Sequence, residues 1–294
     1  MLLSRPEDVI IKKGIMKYTF SGHESFHCKS LWLKKGYDFA KAEKSFNDDS
    51  AVVDLGVGKN MVASIKFWLK SFGIIDESGE VTETGDLLFA DDGFDPYVED
   101  VATQWLLHYL LVSTEYATIY HIVFAEFNKN RKDFSKSSLL NYLKRLFADK
   151  RFDKTPYNEN TISRDIATLL KNYARPENPK VYEDFSSALI DLNLIKRIDR
   201  DNFEFNTSTK AAVEPLIFLY AILDIANGES VVEYSQLLYL AGIFGMTTND
   251  MYDAFESIHS MIPSISFSNS AGEQLFTINE PISKNEVLNM YYRR

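Results

Sequence analysis

The stretch Asp54-Leu55-Gly56-Val57-Gly58-Lys59-Asn60, with the segment behind it, constrains the fold more than any other part of the chain. Met61, Ile65, Trp68 and Phe72 recur at steps of four, three and four. That spacing puts them on one apolar stripe of a helix running from Lys59 to Phe72. Lys59, Ala63, Lys66 and Lys70 recur at the same steps and form a basic stripe facing away, with Asn60 beside Lys59 in the first turn. The two glycines permit a tight turn with positive φ, as the corner of a helix-turn-helix requires. Ile74-Ile75 and then Glu77-Ser78-Gly79-Glu80-Val81-Thr82 read as a turn flanked by short extended pieces. Helix, turn, basic-faced helix and hairpin describe a winged helix whose exposed helix enters a DNA major groove. A phosphate-binding loop is not expected, because it needs glycine where Val53 stands and Ser or Thr where Asn60 stands. The plain alternative is a surface helix with solvated lysines.

Charge decides which parts of the chain suit a polyanion. The 294 residues carry a net charge of −10, which at first argues against DNA. The charge is unevenly spread. Residues 1–75 are net +4 and 129–175 are net +7, whereas 76–128 hold twelve acids and no Lys or Arg, and 176–294 are net −9. Only the two basic blocks are candidates for a nucleic-acid surface. The apolar region from Val101 to Phe127 contains His108, Glu115, His121 and Glu126, so it reads as buried helix and not as a membrane span. A lone cysteine, Cys28, and an N-terminus without a long apolar run fit a cytoplasmic protein.

Taken in order, Lys17 to Phe20 reads as a short strand, followed by a helix start around His23-Glu24 and a helix ending at Gly36. His23-Glu24-x-x-His27 matches the zinc-protease pattern, but Ser30 and Leu33 stand where its longer form has glycine and the third ligand. Asp95-Pro96 reads as a helix cap. The second basic block repeats the first. A helix from Ser137 to Ala148 precedes one capped by Asn160, with the apolar stripe Ile162, Ile166, Leu169, Tyr173. Its opposite stripe is Thr161, Arg164, Thr168, Lys171 and Arg175, suited to phosphates and base edges. Leu194–Ile198 and Phe203–Phe205 make the second wing. In a third unit Asn249 caps a helix packing Met251, Ala254, Phe255 and Ile258, and its outer face is acidic: Asp250, Asp253, Glu256 and Ser260. The hairpin behind it turns at Ser270-Ala271-Gly272. Phosphates would be repelled there, so this unit reads as a protein-contact module.

Ser21-Gly22-His23-Glu24-Ser25-Phe26, Trp32 to Gly36, Leu55 to Val62, Asp95 to Asp100 and Trp105-Leu106-Leu107-His108 occur in this order. Together they resemble the family catalogued as domain of unknown function four thousand and seven. The resemblance implies a DNA-handling role in bacterial clusters for DNA phosphorothioation and anti-phage defence, in which sulfur replaces a non-bridging phosphate oxygen. It implies nicking of one DNA strand beside a cysteine desulfurase, an ATPase and a sulfur-activating ATP pyrophosphatase.

The resulting expectation is a mainly α protein with small β wings, built from tandem winged-helix-like units. Residues 1–95 hold the first unit with the His-Glu motif, 96–210 a helical core with the second unit, and 211–294 the acidic third. In the nickase reading Glu24 is a ligand for magnesium or manganese and His23 a base or second ligand. The alternatives are a non-catalytic DNA-binding adaptor that recruits sulfur-transfer partners and, further off, a zinc metalloprotease.

Overall fold

A computed structural model describes residues 18–149, 152, 155–176, 187–206, 212–270 and 273–294. The protein is mainly helical with two small three-stranded antiparallel sheets, and it forms two compact units, residues 18–211 and 212–294. Among the described residues no helix is long and apolar enough to cross a membrane.

The larger unit begins with α1 (Ser30–Lys41), the single turn α2 (Ala51–Asp54) and α3 (Lys59–Ser71). The α3 boundaries follow from its stripe, with Ile65, Trp68 and the following Phe72 fully buried and Met61 half-buried. Gly56, at φ +60°, turns the chain from α2 toward α3. Gly36 does not end α1 but lies inside it. A Cβ there would come within 2.7 Å of Ile65 Cγ2 and Leu69 Cδ1, so the glycine lets α1 and α3 approach closely. The expected first wing reduces to one bridge, Ile75 to Val81, because the Asp76 carboxylate gathers Ser78 Oγ and the N–H groups of Gly79 and Glu80 into a tight turn. α4 (Glu83–Phe89) follows, capped by Thr82.

The helix behind Asp95-Pro96 is α5 (Val101–Ser113), and its cap is Asp100, which accepts from Ala102 N at 2.8 Å. Asp95 instead accepts from Glu99 N and Asp100 N, both at 2.9 Å, closing the turn in which Val98 takes φ +57°. α5 is buried nearly all round, as its composition requires. α6 (Thr118–His121) runs on as a π turn over Ile122–Glu126 and a 3₁₀ turn over Phe127–Asn130. No strand forms at 18–20; Thr19 N instead donates to Thr118 Oγ1 at 2.9 Å.

The order then becomes β1 (Asp133–Ser135), α7 (Lys136–Leu146), α8 (Glu159–Tyr173), β2 (Ile195–Arg197) and β3 (Asn202–Phe205). The sheet order is β1-β3-β2, with Phe134 opposite Phe203 and Ile195 opposite Phe205. α8 starts one residue before the expected cap Asn160. Asn158 is the cap, accepting from Thr161 N at 3.0 Å.

The second unit repeats this order. α9 (Pro215–Ala226) precedes β4 (Val231–Glu233), α10 (Tyr234–Phe244), α11 (Thr248–Met261), β5 (Ile265–Ser270) and β6 (Glu273–Ile278), with sheet order β4-β6-β5. α12 (Lys284–Tyr292) closes the unit against α9. Thr247, and not Asn249, caps α11, exchanging bonds with Asp250 in a capping box. Its buried residues are the expected Met251, Ala254, Phe255 and Ile258. Of the expected hairpin turn, Ala271 and Gly272 lie outside the described residues.

Candidate functional site

The His-Glu motif is not helical. Residues 21–25 form a turn in which Ser21, Glu24 and Ser25 all have positive φ, so His23 and His27 do not share a helix face as a zinc-protease pair would. Gly22 is required because a Cβ there would overlap the ring of Phe67. Two adjacent residues then part company. His23 is 2% exposed, between the edge of Phe67 and the face of Trp68, whereas Glu24 is exposed at the tip of the turn.

Both ring nitrogens of His23 are engaged within the protein. Nδ1 accepts from Ser25 N at 3.0 Å, which leaves the proton on Nε2, and Nε2 meets Asp165 Oδ1 at 2.9 Å. Ser21 N donates to the same carboxylate at 2.9 and 3.1 Å. Burial pushes the Asp165 carboxyl above the usual range, and the bonds from His23 and Ser21 hold it partly back. Asp165 lies on α8. One face of that helix thus carries two buried polar anchors, since Asn172, seven residues on, accepts from Cys28 N at 3.1 Å and Ser187 Oγ at 3.0 Å and donates to Tyr120 at 2.6 Å. Burial raises the Cys28 thiol, keeping it protonated and unreactive. His27, buried beside it, is pulled down to about 4, by burial first and then by the charges of Lys171 and Lys29.

Sequence reading missed Asp165, Asn172 and Ser187. The available signal was an acid and an amide seven apart on the side of α8 adjoining its apolar stripe, a spacing that returns to the same face.

The basic stripes are only partly surface. On α3, Lys59, Asn60 and Ala63 are exposed. Lys66 is half-buried and donates to Asn47 Oδ1 at 3.3 Å. Lys70 is committed to Glu77, at 2.7 Å to its carbonyl and 3.4 Å to its carboxylate. On α8, Arg164 and Lys171 are exposed and Thr161 is half-buried. Thr168 is 1% exposed, so it is removed from the outer stripe and Ala167 takes its place. The helix is buried over more than half its circumference, and the expected stripe ran into the packed side. Arg175 lies past the helix end and pairs with Asp191 at 3.0 Å.

Among the described residues no three His, Cys, Asp or Glu side chains gather as a ready-made metal site. Glu24 can offer one carboxylate. Magnesium binds through one or two carboxylates plus waters and substrate phosphate oxygens, so an exposed single acid is chemically compatible with it.

No curated protein matches the sequence. Among solved structures, the magnesium ion-bound SspB crystal structure is similar with a TM-score of 0.83 at 22% identity, covering 94% of this chain and 88% of that one. A second SspB crystal structure gives 0.81 at 23% identity with the same coverage. At such identities the likeness is one of fold. A family model matches residues 20–292, and on that extent the chain belongs to the family described as protein of unknown function, DUF4007.

Proposed function

We propose that this protein is a DNA-binding component of a bacterial DNA phosphorothioation system, working in the cytoplasm beside its sulfur-transfer and ATPase proteins and nicking one DNA strand for sulfur incorporation. The observation that carries the reading is the outer face of α3. Lys59, Asn60 and Ala63 are exposed on a helix whose other side is fixed by Ile65, Trp68 and Leu69, so the Lys59 ammonium and the Asn60 amide are presented on a rigid support. The shared fold with SspB over 94% of the chain supports it. So does the strand–helix–helix–strand–strand order with the last strand central, which is compatible with a winged helix and favours α8, with Arg164 and Lys171, as the helix that meets DNA.

In this reading Glu24 carries the metal contact, and the ion, magnesium or manganese, would polarise the scissile phosphate. His23, with both nitrogens engaged, is a positioning residue that fixes the turn presenting Glu24. That same engagement favours a second reading, a non-catalytic adaptor that holds DNA for its sulfur-transfer partners.

A supercoiled-plasmid assay with and without Mg²⁺ or Mn²⁺ separates the two. The nickase gives metal-dependent open circles, and Glu24→Gln, an exposed and nearly isosteric change, abolishes them while melting within about 4 °C of wild type. A protein that binds the plasmid but never opens it is the adaptor.

A further inference from the structure

A recess of about 490 Å³ opens on the larger unit between the 3₁₀ turn before β1 and the C-terminal end of α7, lined by Arg131, Tyr142, Arg145, Leu146, Ala148 and Asp149. Its volume falls in the range of small-molecule sites. Tyr142 and Arg145 are one helical step apart on α7, and Asp149 lies in the turn just past the helix end. Arg131 is fixed from the other side. Its guanidinium lies 4.6 Å from the centre of the Phe127 ring and 5.9 Å from that of Tyr142, and those two rings are themselves 5.0 Å apart. Among the described residues Lys34, Lys41, Lys44, Arg175 and Lys284 are paired with acids. Among the described residues neither Arg131 nor Arg145 takes part in an ion pair.

Two arginines held in this way supply forked N–H donors for a phosphate, and the stacked one is oriented before any ligand arrives. Tyr142 and Leu146 supply a flat apolar wall of the kind on which a base stacks. Asp149 would repel a bare phosphate, but it can accept from the amino or imino group of a base. We propose that this recess takes a single unstacked nucleotide, with its phosphate on Arg131 and Arg145, its base against Tyr142 and the base edge toward Asp149. The nucleotide is one unit of a DNA strand, and only this choice of source rests on the DNA-handling function proposed above.

Fluorescence anisotropy with a labelled twelve-nucleotide single strand, its duplex and deoxyadenosine monophosphate as competitor tests the proposal. Arg131→Lys/Arg145→Lys keeps the net charge but loses the forks, and it is expected to weaken single-strand binding about tenfold; Tyr142→Ala is expected to do the same through lost stacking. Unchanged single-strand affinity in the folded double variant overturns the site. Should Arg131→Lys unfold the protein by losing its place on Phe127, Arg145→Lys alone, on an exposed helix end, decides. Arginine-dependent binding of the mononucleotide without the oligonucleotide overturns the strand as source. Lys59→Gln/Lys66→Gln, read on the duplex, reports on the proposed function separately. A loss there with the recess variants silent sinks this inference alone, and the reverse pattern sinks only the α3 surface.

Discussion

At position 165 an acid lies on the packed side of a helix that is otherwise basic on its outside. Its oxygens accept from the N–H of half-buried Ser21 and from Nε2 of buried His23. Asp165→Ala would leave the buried His23 Nε2 and the half-buried Ser21 N unmatched, and it is expected to cost about 3 kcal/mol, with Asp165→Asn costing less because an amide oxygen still accepts. Urea unfolding of the two variants gives the comparison, and equal losses would show that packing, not the bonds, matters at this position. His27 makes a separate prediction about pH. Its folded value near 4 lies below the ordinary 6.5, so between these limits the unfolded chain binds the extra proton. Stability should therefore fall as pH drops through 6.5 and level off below about 4, by at most about 1.4 kcal/mol per pH unit from this group. Asp165 acts in the opposite sense, since a carboxyl raised by burial favours the fold as it is protonated, from its folded value downward. Subtracting the pH profile of His27→Gln isolates the histidine, and identical profiles for wild type and variant would refute the assignment.

Among the elements, the two basic helices differ in how much charge they have to give. Lys59→Gln and Lys171→Gln each remove an exposed cation, and each should flatten the dependence of log affinity on log salt by about one. Lys70→Gln should change it less, because that ammonium already serves Glu77. A steeper effect at position 70 than at 59 would mean that the Glu77 contact opens on DNA. The helices also show what was legible beforehand. α3 and α11 were readable because a two-sided pattern over three turns leaves little choice of face. The starts of α8 and α11 were not, because Asn158 and Asn160, or Thr247 and Asn249, are equally competent caps and periodicity cannot choose between them. The first wing was misjudged for a similar reason, since Asp76 can organise the turn with its own carboxylate and leaves one bridge where two strands were expected. The buried anchors of α8 escaped notice because their partners are some 140 residues away, at separations of 142 and 144.

For the whole molecule, the strand–helix–helix–strand–strand order occurs in both compact units, once in a basic setting and once in an acidic one. The smaller unit has its own core of Phe218, Phe244, Phe255, Ile258 and Phe276 around α9. Residues 212–294 expressed alone should therefore give a helical circular-dichroism spectrum and a cooperative melt. A fragment that binds a hydrophobic dye and melts without a transition would show that its core is incomplete. The larger unit should not divide at residue 95 in this way, because residues 21–28 close onto α8 through Asp165 and Asn172.

That closure also sets a timetable. The chain leaves the ribosome N-terminus first, and the turn at 21–28 cannot make its bonds to α8 until Asp165 and then Asn172 have emerged, the latter 144 residues after Cys28. At 5–20 residues per second this is roughly seven to thirty seconds during which α1 and α3 exist without their lock. Trp68, whose indole N–H donates to Phe26 O at 3.2 Å in the finished protein, is then among the apolar groups open to chaperones and to other nascent chains.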